Sequence, residues 1–412
     1  MFVALKADDS LISLLSKNWT REELEEEREC HTFFCPECRG RLTLKLGRYQ
    51  VWHFAHSPNS RCSMSSLGET EEHRRGKWLL FSWLKDNGFK PNIEHYLPPI
   101  KQRPDIHVQI DHRSYAFELQ RSALPEEVFI RRNEVYMNHG IEPVWIGAAS
   151  ALTRLGSWQF APRHLDRLLL RPSAKPHAIY LLNEAKAFLL LSHFYTINGK
   201  RMMAFPMKVP LSVYSPQQLV HNALPLPEAK LSELRKYKEI YLLKWLTETK
   251  NKRLRRYRSL TATERMMLRL LQQHRCSLNY FPALGNLPLS TNFYFRTAPQ
   301  WWQSWIIMEV INKIPLYDTL RLTLLTNRLS ALVDKGVFHL LPSYHLHKKQ
   351  LIRAAAAEYL DCLCLFHAVK KQYTGVYQIV KHIHIEKQLD ILCMDDHFVQ
   401  KKITDDWNAR GN

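Results

Sequence analysis

RPDIHVQIDHRSYAFELQRS, residues 103–122, alternates apolar and polar side chains on both sides of a short polar turn. Ile106, Val108 and Ile110 fall on one face, and Asp105, His107 and Gln109 on the other. After Asp111–Ser114 the alternation resumes, with Tyr115, Phe117 and Leu119 set against Glu118 and Gln120. A period of two on either side of a turn is the pattern of a half-buried β-hairpin. A two-residue turn at His112-Arg113 sets Asp105 opposite Gln120 and His107 opposite Glu118, and directly opposed residues share a face. One face then packs on a core while the other gathers Asp105, Glu118 and Gln120.

Two carboxylates brought together on a sheet repel unless a cation lies between them. Oxygen ligands on adjacent strands suit a hard ion such as Mg²⁺ or Mn²⁺. An ordinary solvated polar face is the plainer alternative. The flanking segments bear on that choice. Glu69–Asn87 reads as a helix with Trp78, Leu79, Phe81, Trp83 and Leu84 at apolar positions and Gly88 to stop it. A strand follows around Asn92–Leu97. Past the hairpin, Pro125–Asn138 opens with Pro and two Glu, as a helix should, and Pro143–Gly147 reads as a buried strand.

The order is helix, three strands, helix, strand, with Pro104-Asp105 on one strand and Glu118-x-Gln120 on the next. It resembles the PD-(D/E)xK nuclease superfamily in an E-x-Q variant. More narrowly, FFCPEC, HFAH, EEHRRGK, RPD, FELQRS, the Arg132–Tyr136 stretch and VWIG, in that order across residues 33–147, resemble the competence protein CoiA family. The resemblance implies an α/β fold with a zinc-ribbon-like module over residues 1–66, an αβββαβ nuclease-like domain over 67–150, and a mostly helical basic region over 151–412.

The 412 residues suffice for two or three domains. A net charge of +19 predicts attraction to a polyanion, nucleic acid first and an anionic membrane surface second. No apolar run approaches the ~20 residues that span a bilayer, and the N-terminus lacks a signal-peptide pattern. A cytoplasmic protein is expected, its Cys residues serving metal or packing rather than disulfides.

Cys35-Pro-Glu-Cys38 followed by Arg39-Gly40 is a C-x₂-C knuckle, with His53, His56 and Cys62 beyond it. A tetrahedral zinc site takes four such ligands. His53 and His56 point to opposite faces of a straight strand. Cys35, Cys38, His56 and Cys62 are the preferred set, with His53 in reserve; a reduced, metal-free cluster is the alternative. A closed site of this kind is structural.

Beyond Gly147, Ala148–Ala151 and Pro162–Pro176 suggest a linker, and from Tyr180 onward amphipathic helices dominate. Lys230–Arg258 interleaves Lys and Arg with Tyr and Trp, a mixture that can track phosphates and stack bases, although a charge run is commonly a solvated helix face. Trp301, Trp302 and Trp305 read as core.

The CoiA resemblance implies metal-dependent hydrolysis of a DNA phosphodiester in natural transformation. Asp105, Glu118 and the Leu119 carbonyl would hold Mg²⁺ or Mn²⁺, and Glu72 on the preceding helix would complete the shell, with Glu71 close behind and Glu94 third. Gln120 stands where most of the superfamily has lysine; it can orient water but carries no charge. Lys77, Arg103 or Arg121 would supply that charge. Arg103, Arg121 and Arg132 near the site, and Lys252, Arg253, Arg255 and Arg256 farther along, are the expected DNA contacts. Single-stranded or branched DNA and recombination proteins are the expected partners. A catalytically silent DNA-binding accessory factor and a defence nuclease are the competing readings.

Overall fold

The computed structural model describes residues 1–56, 62, 70–171, 176–198, 200–224, 227–341 and 347–409. The chain forms two compact units: one comprises Met1–Leu152, Ala178–Leu190 and Met207–Pro225, the other Thr153–His177, Leu191–Pro206 and Leu226–Asn412.

In the first unit, β1 (Val3–Leu5), β2 (Leu11–Ser13), β3 (Phe33–Phe34), β4 (Arg41–Lys45) and β5 (His53–His56) form a sheet in the order β2-β1-β3-β4-β5. Helix α1 (Arg21–Cys30) starts at a capping box in which Thr20 and Glu23 satisfy each other's backbone N–H groups. The second sheet holds β6 (Asn92–Ile93), β7 (Ile106–Ile110), β8 (Arg113–Gln120) and β9 (Ile141–Ala148) as consecutive neighbours. Helix α2 (Glu71–Asp86) precedes β6, and α3 (Glu126–Asn138) joins β8 to β9. Glu69, the expected helix start, lies outside the described residues.

The hairpin register differs from the expected one by two residues. Ile106 pairs with Phe117 and Ile110 with Arg113, so the turn residues are Asp111 and His112, whose φ angles of 47° and 64° are those of a type I′ turn. Asp and His tolerate the left-handed region better than Arg does, which favours this placement. A two-residue slip preserves the faces. Continued by one residue, the observed register sets Asp105 across from Glu118, and His107 meets Ala116.

Strand β8 is not half-buried: Tyr115 through Leu119 are all covered. Trp83 of α2 lies against Phe117 at 6.5 Å between ring centroids. On the other face Tyr136 of α3 packs with Ala116 and Ile141. Helix α3 is anchored to β9 where the Trp145 indole N–H donates to Asn133 Oδ1 at 2.8 Å.

Strands, not helices, occupy His177–Leu182, Ala187–Asn198 and Arg201–Pro210. The first lies parallel to β9. Each contains a short continuous apolar run, AIYLL, AFLLL and MMAFPM, for which periodicity cannot separate a buried strand from a helix. Beyond Pro210 helices predominate, as expected.

In the second unit, Trp301, Trp302 and Trp305 are buried on the helix Pro299–Glu309. Tyr195 and Tyr241 stack at 4.0 Å. Arg253 requires a correction: it is 2% exposed and cannot reach a phosphate. Its Nε donates to Asp396 Oδ2 at 2.5 Å and its Nη2 to Asp396 Oδ1 at 2.8 Å, while Nη1 donates to the Phe281 carbonyl at 2.9 Å. Lys252 is half-buried on Asn286 Oδ1 at 3.0 Å, and burial lowers its ammonium to about 8. Arg255 and Arg256 remain exposed. Removing one partner of a buried pair leaves an uncompensated charge at a cost of about 3–5 kcal/mol. Asp396→Ala is expected to lower the unfolding free energy measured by urea titration by that amount, and adding Arg253→Met should recover most of it.

Candidate active site and metal centre

Helix α2 comes close to β8 because residue 76 is glycine. A Cβ there would lie 2.3 Å from Leu119 Cδ2 and 3.3 Å from Asn183 Oδ1. This close approach sets His73 and Lys77, one helical turn apart, beside Asp105. The His73 Nε2 is 3.3 Å from Asp105 Oδ2, and the Lys77 Nζ is 3.7 Å from Oδ1. The Leu119 backbone N–H donates to Asp105 Oδ2 at 2.9 Å. Lys77 also forms a buried ion pair with Glu94. Glu94 adopts a left-handed backbone (φ 48°), and its Oε2 accepts from the Phe2 N–H at 2.7 Å.

Burial would raise the Asp105 carboxyl, but His73, Lys77 and the Leu119 N–H hold it well below the usual carboxylate range. Glu118 behaves oppositely. Burial raises it, Asp105 adds to the rise, and although Arg132 opposes it the carboxyl is pushed up to about 7. Glu118 Oε1 accepts from Arg132 Nη2 at 2.5 Å and from the Tyr136 hydroxyl at 2.6 Å. Among the described residues Asp105 Oδ1 and Glu118 Oε2 accept no hydrogen bond. Asp105 Oδ1 faces the Lys77 ammonium at 3.7 Å, and two carboxylate oxygens on neighbouring strands are the donor type a hard divalent cation takes.

The expected residues do not all converge. Glu72 pairs with Arg121 Nε at 3.0 Å instead of turning to Asp105, and Glu71 holds Arg74 and Arg75. No group of three or more carboxylate or imidazole ligands gathers around Asp105 among the described residues. The Gln120 amide donates to the Ser122 carbonyl at 2.9 Å. Arg132 is committed to Glu118. Arg103 is largely buried, with Nε 3.3 Å from Glu37 Oε1, so it acts as a strut and not as an exposed phosphate contact. Arg121 remains half-exposed. Tyr136 is a site residue that sequence reading passed over, since α3 was legible only as a helix; its place in the Arg132–Tyr136 stretch was the available signal.

Cys35, Cys38, His56 and Cys62 present one ligand atom each, all within 4.8 Å of one another, a cluster able to hold a metal ion. The knuckle is built locally. Cys35 N–H donates to the Gly40 carbonyl at 2.8 Å, Arg39 takes a left-handed φ of 56°, and Gly40 N–H donates to Cys38 Sγ at 3.3 Å. A Cβ at Gly40 would approach Cys38 Sγ to 3.1 Å. Tetrahedral zinc with Zn–S near 2.3 Å has ligand–ligand edges of about 3.8 Å, which suits such a cluster. Strand β5 sends His53 and His56 apart: His53 Nδ1 is 2.9 Å from the Val51 carbonyl, whereas His56 Nε2 is 3.4 Å from Cys38 Sγ.

Three models of one family match in chain order: the N-terminal domain of competence protein CoiA over residues 16–65, its nuclease-like domain over 69–224, and its C-terminal domain over 242–390. Competence protein CoiA of Bacillus subtilis (strain 168) is 37% identical over 169 residues, which are 40% of this chain and 45% of that protein. The match therefore spans less than half of that relative's length. No solved structure matches.

The glycine contact generates a test. Gly76→Val is expected to push α2 off β8 and cost about 1–3 kcal/mol by overpacking. Leu119→Ala alone leaves a cavity, but combined with Gly76→Val it should restore much of the stability. A double-mutant cycle by denaturant unfolding measures this; additive losses would mean that the two residues do not meet.

Proposed function

Because the chain belongs to the competence protein CoiA family, we propose that it is a metal-dependent DNA nuclease acting on DNA taken up in natural transformation. The observation that carries this reading is the pairing of Asp105 with Glu118, each with one carboxylate oxygen fixed by hydrogen bonds and one that accepts none among the described residues, the Asp105 oxygen facing Lys77. Mg²⁺ or Mn²⁺, held by those two oxygens and the Leu119 carbonyl, would polarise the phosphate and acidify the attacking water.

The chain's own groups do the positioning. The Leu119 N–H and His73 orient Asp105, while Arg132 and Tyr136 lock the Glu118 rotamer. Lys77 supplies the positive charge that Gln120 lacks, and Glu94 holds its ammonium in place. A fixed charge aimed at developing negative charge acts without reorganisation, and losing such a donor typically costs about 10²–10³-fold in rate. Gln120, turned to Ser122, has no direct part in this arrangement.

A silent DNA-binding accessory factor is the second reading. It is favoured by the clamp on Glu118 and by the absence of Glu72 from the set. Asp105→Asn preserves shape and removes a metal-binding charge, so it should lower Mg²⁺- or Mn²⁺-dependent cleavage of labelled DNA by about 10²-fold or more. The same variant should fail to restore transformation to a deficient strain. Full rescue by folded Asp105→Asn would select the accessory reading.

The Cys35, Cys38, His56 and Cys62 cluster serves, in this proposal, as a structural zinc site. Purified protein should carry about one equivalent of zinc, and Cys35→Ser should lower both metal content and thermal midpoint, since binding energy at such sites is folding energy. Protein prepared without chelators and free of zinc would refute the assignment.

A further inference from the structure

Helix α2 presents a second face away from Asp105. One residue after Lys77, Trp78 begins a row with Phe81 and Lys85 at helical spacing, and this row lines a cavity of about 380 Å³. Trp19, Trp52 and Lys17 from the preceding module contribute to the same lining. Flat aromatic surface of this extent normally belongs in a core, yet Trp78 is 42% exposed.

The lining chemistry narrows the occupant. Trp19 is engaged: its Nε1–H donates to the Ser13 carbonyl at 2.9 Å, and the Lys17 ammonium lies 4.0 Å from its ring centroid. The indole N–H groups of Trp52 and Trp78 have no partner among the described residues. Lys17 and Lys85 are the charged residues of the lining, and no carboxylate belongs to it among the described residues. Lys17 is paired with Glu23 at 2.9 Å, whereas Lys85 forms no ion pair among the described residues. Planar rings together with unopposed positive charge complement a ligand that has flat faces and negative charge. Nucleotides have both, and the net charge of +19 favours them further. An aliphatic or neutral peptide segment would use the rings and leave Lys85 unanswered.

We propose that this cavity is a base-stacking subsite for single-stranded DNA. Lys77 and Trp78 are adjacent on α2, about 100° apart around a helix some 10 Å across, so a strand whose phosphate lies at Asp105 could place a neighbouring unpaired base against Trp78. A duplex hides its base faces in the stack and cannot do this without paying to unstack them. This placement beside the cleavage centre rests on the nuclease reading; the stacking itself does not.

The test uses the full chain carrying Asp105→Asn, in EDTA, so that cleavage plays no part. Anisotropy of a labelled oligothymidylate is compared with that of a duplex of equal length. Trp52→Ala and Trp78→Ala should each weaken single-strand binding roughly 5- to 150-fold, the range for loss of one base–aromatic stack. Both should leave duplex binding unchanged, and Trp78→Phe should keep most of the affinity. Lys85→Ala should reduce the salt dependence by about one counterion. Unchanged single-strand affinity in the folded Trp52→Ala/Trp78→Ala protein would overturn the proposal and leave the cavity to a polypeptide partner. Equal losses for single strand and duplex would overturn it too. Intact stacking with no cleavage in the unsubstituted protein would instead count against the nuclease reading alone.

Discussion

The buried ion pair between Lys77 and Glu94, with Asp105 at its edge, constrains everything around it. Both partners are almost fully covered, and an ammonium removed from water is tolerated only where opposite charge and hydrogen bonds replace the lost hydration. Glu94 meets that demand with a left-handed backbone and the Phe2 N–H; Lys77 meets it by reaching two carboxylates from a helix brought close by Gly76. The N-terminal strand is thereby tied into the same polar network as the hairpin. A second tie runs from Arg103, two residues before Asp105, to Glu37 inside the Cys35–Cys38 knuckle. Loss of order at the cysteine cluster is therefore expected to reach the loop that presents Asp105.

Within that network the two hairpin carboxylates are driven apart. Burial is the largest influence on both, but Asp105 faces His73 and Lys77 whereas Glu118 faces Asp105 across the sheet and has Arg132 as compensation. One stays ionised and the other approaches neutrality near pH 7. Separated acidities on adjacent groups are the arrangement by which sites assign distinct roles to like side chains, and a bound cation would draw both toward the ionised form.

The basic region illustrates a different use of charge. Among Lys252, Arg253, Arg255 and Arg256, the second is spent on Asp396 and on backbone carbonyls inside the second unit, and Lys252 is bound to Asn286. The positive charge presented to solvent thus resides in the residues left at the surface. Net charge is a sum over the chain and does not reveal which cations are already neutralised.

Alternation in residues 103–122, the capping box at Thr20, the glycine after the Cys35–Cys38 knuckle and the acidic start of α3 were all legible in the sequence, because each is a local preference of backbone or burial. Strand parity likewise separates His53 from His56, but which of the two joins the cysteines is decided by the way β5 faces the knuckle. The hairpin register was not: two turn placements preserve the same faces, and only the backbone cost of Arg against Asp and His in the left-handed region separates them. Nor did spacing disclose the partners of Glu118, Glu72 and Arg253, or the strands between His177 and Pro210. Those depend on which element covers which face, and the energy that decides it comes from contacts between residues far apart in the chain.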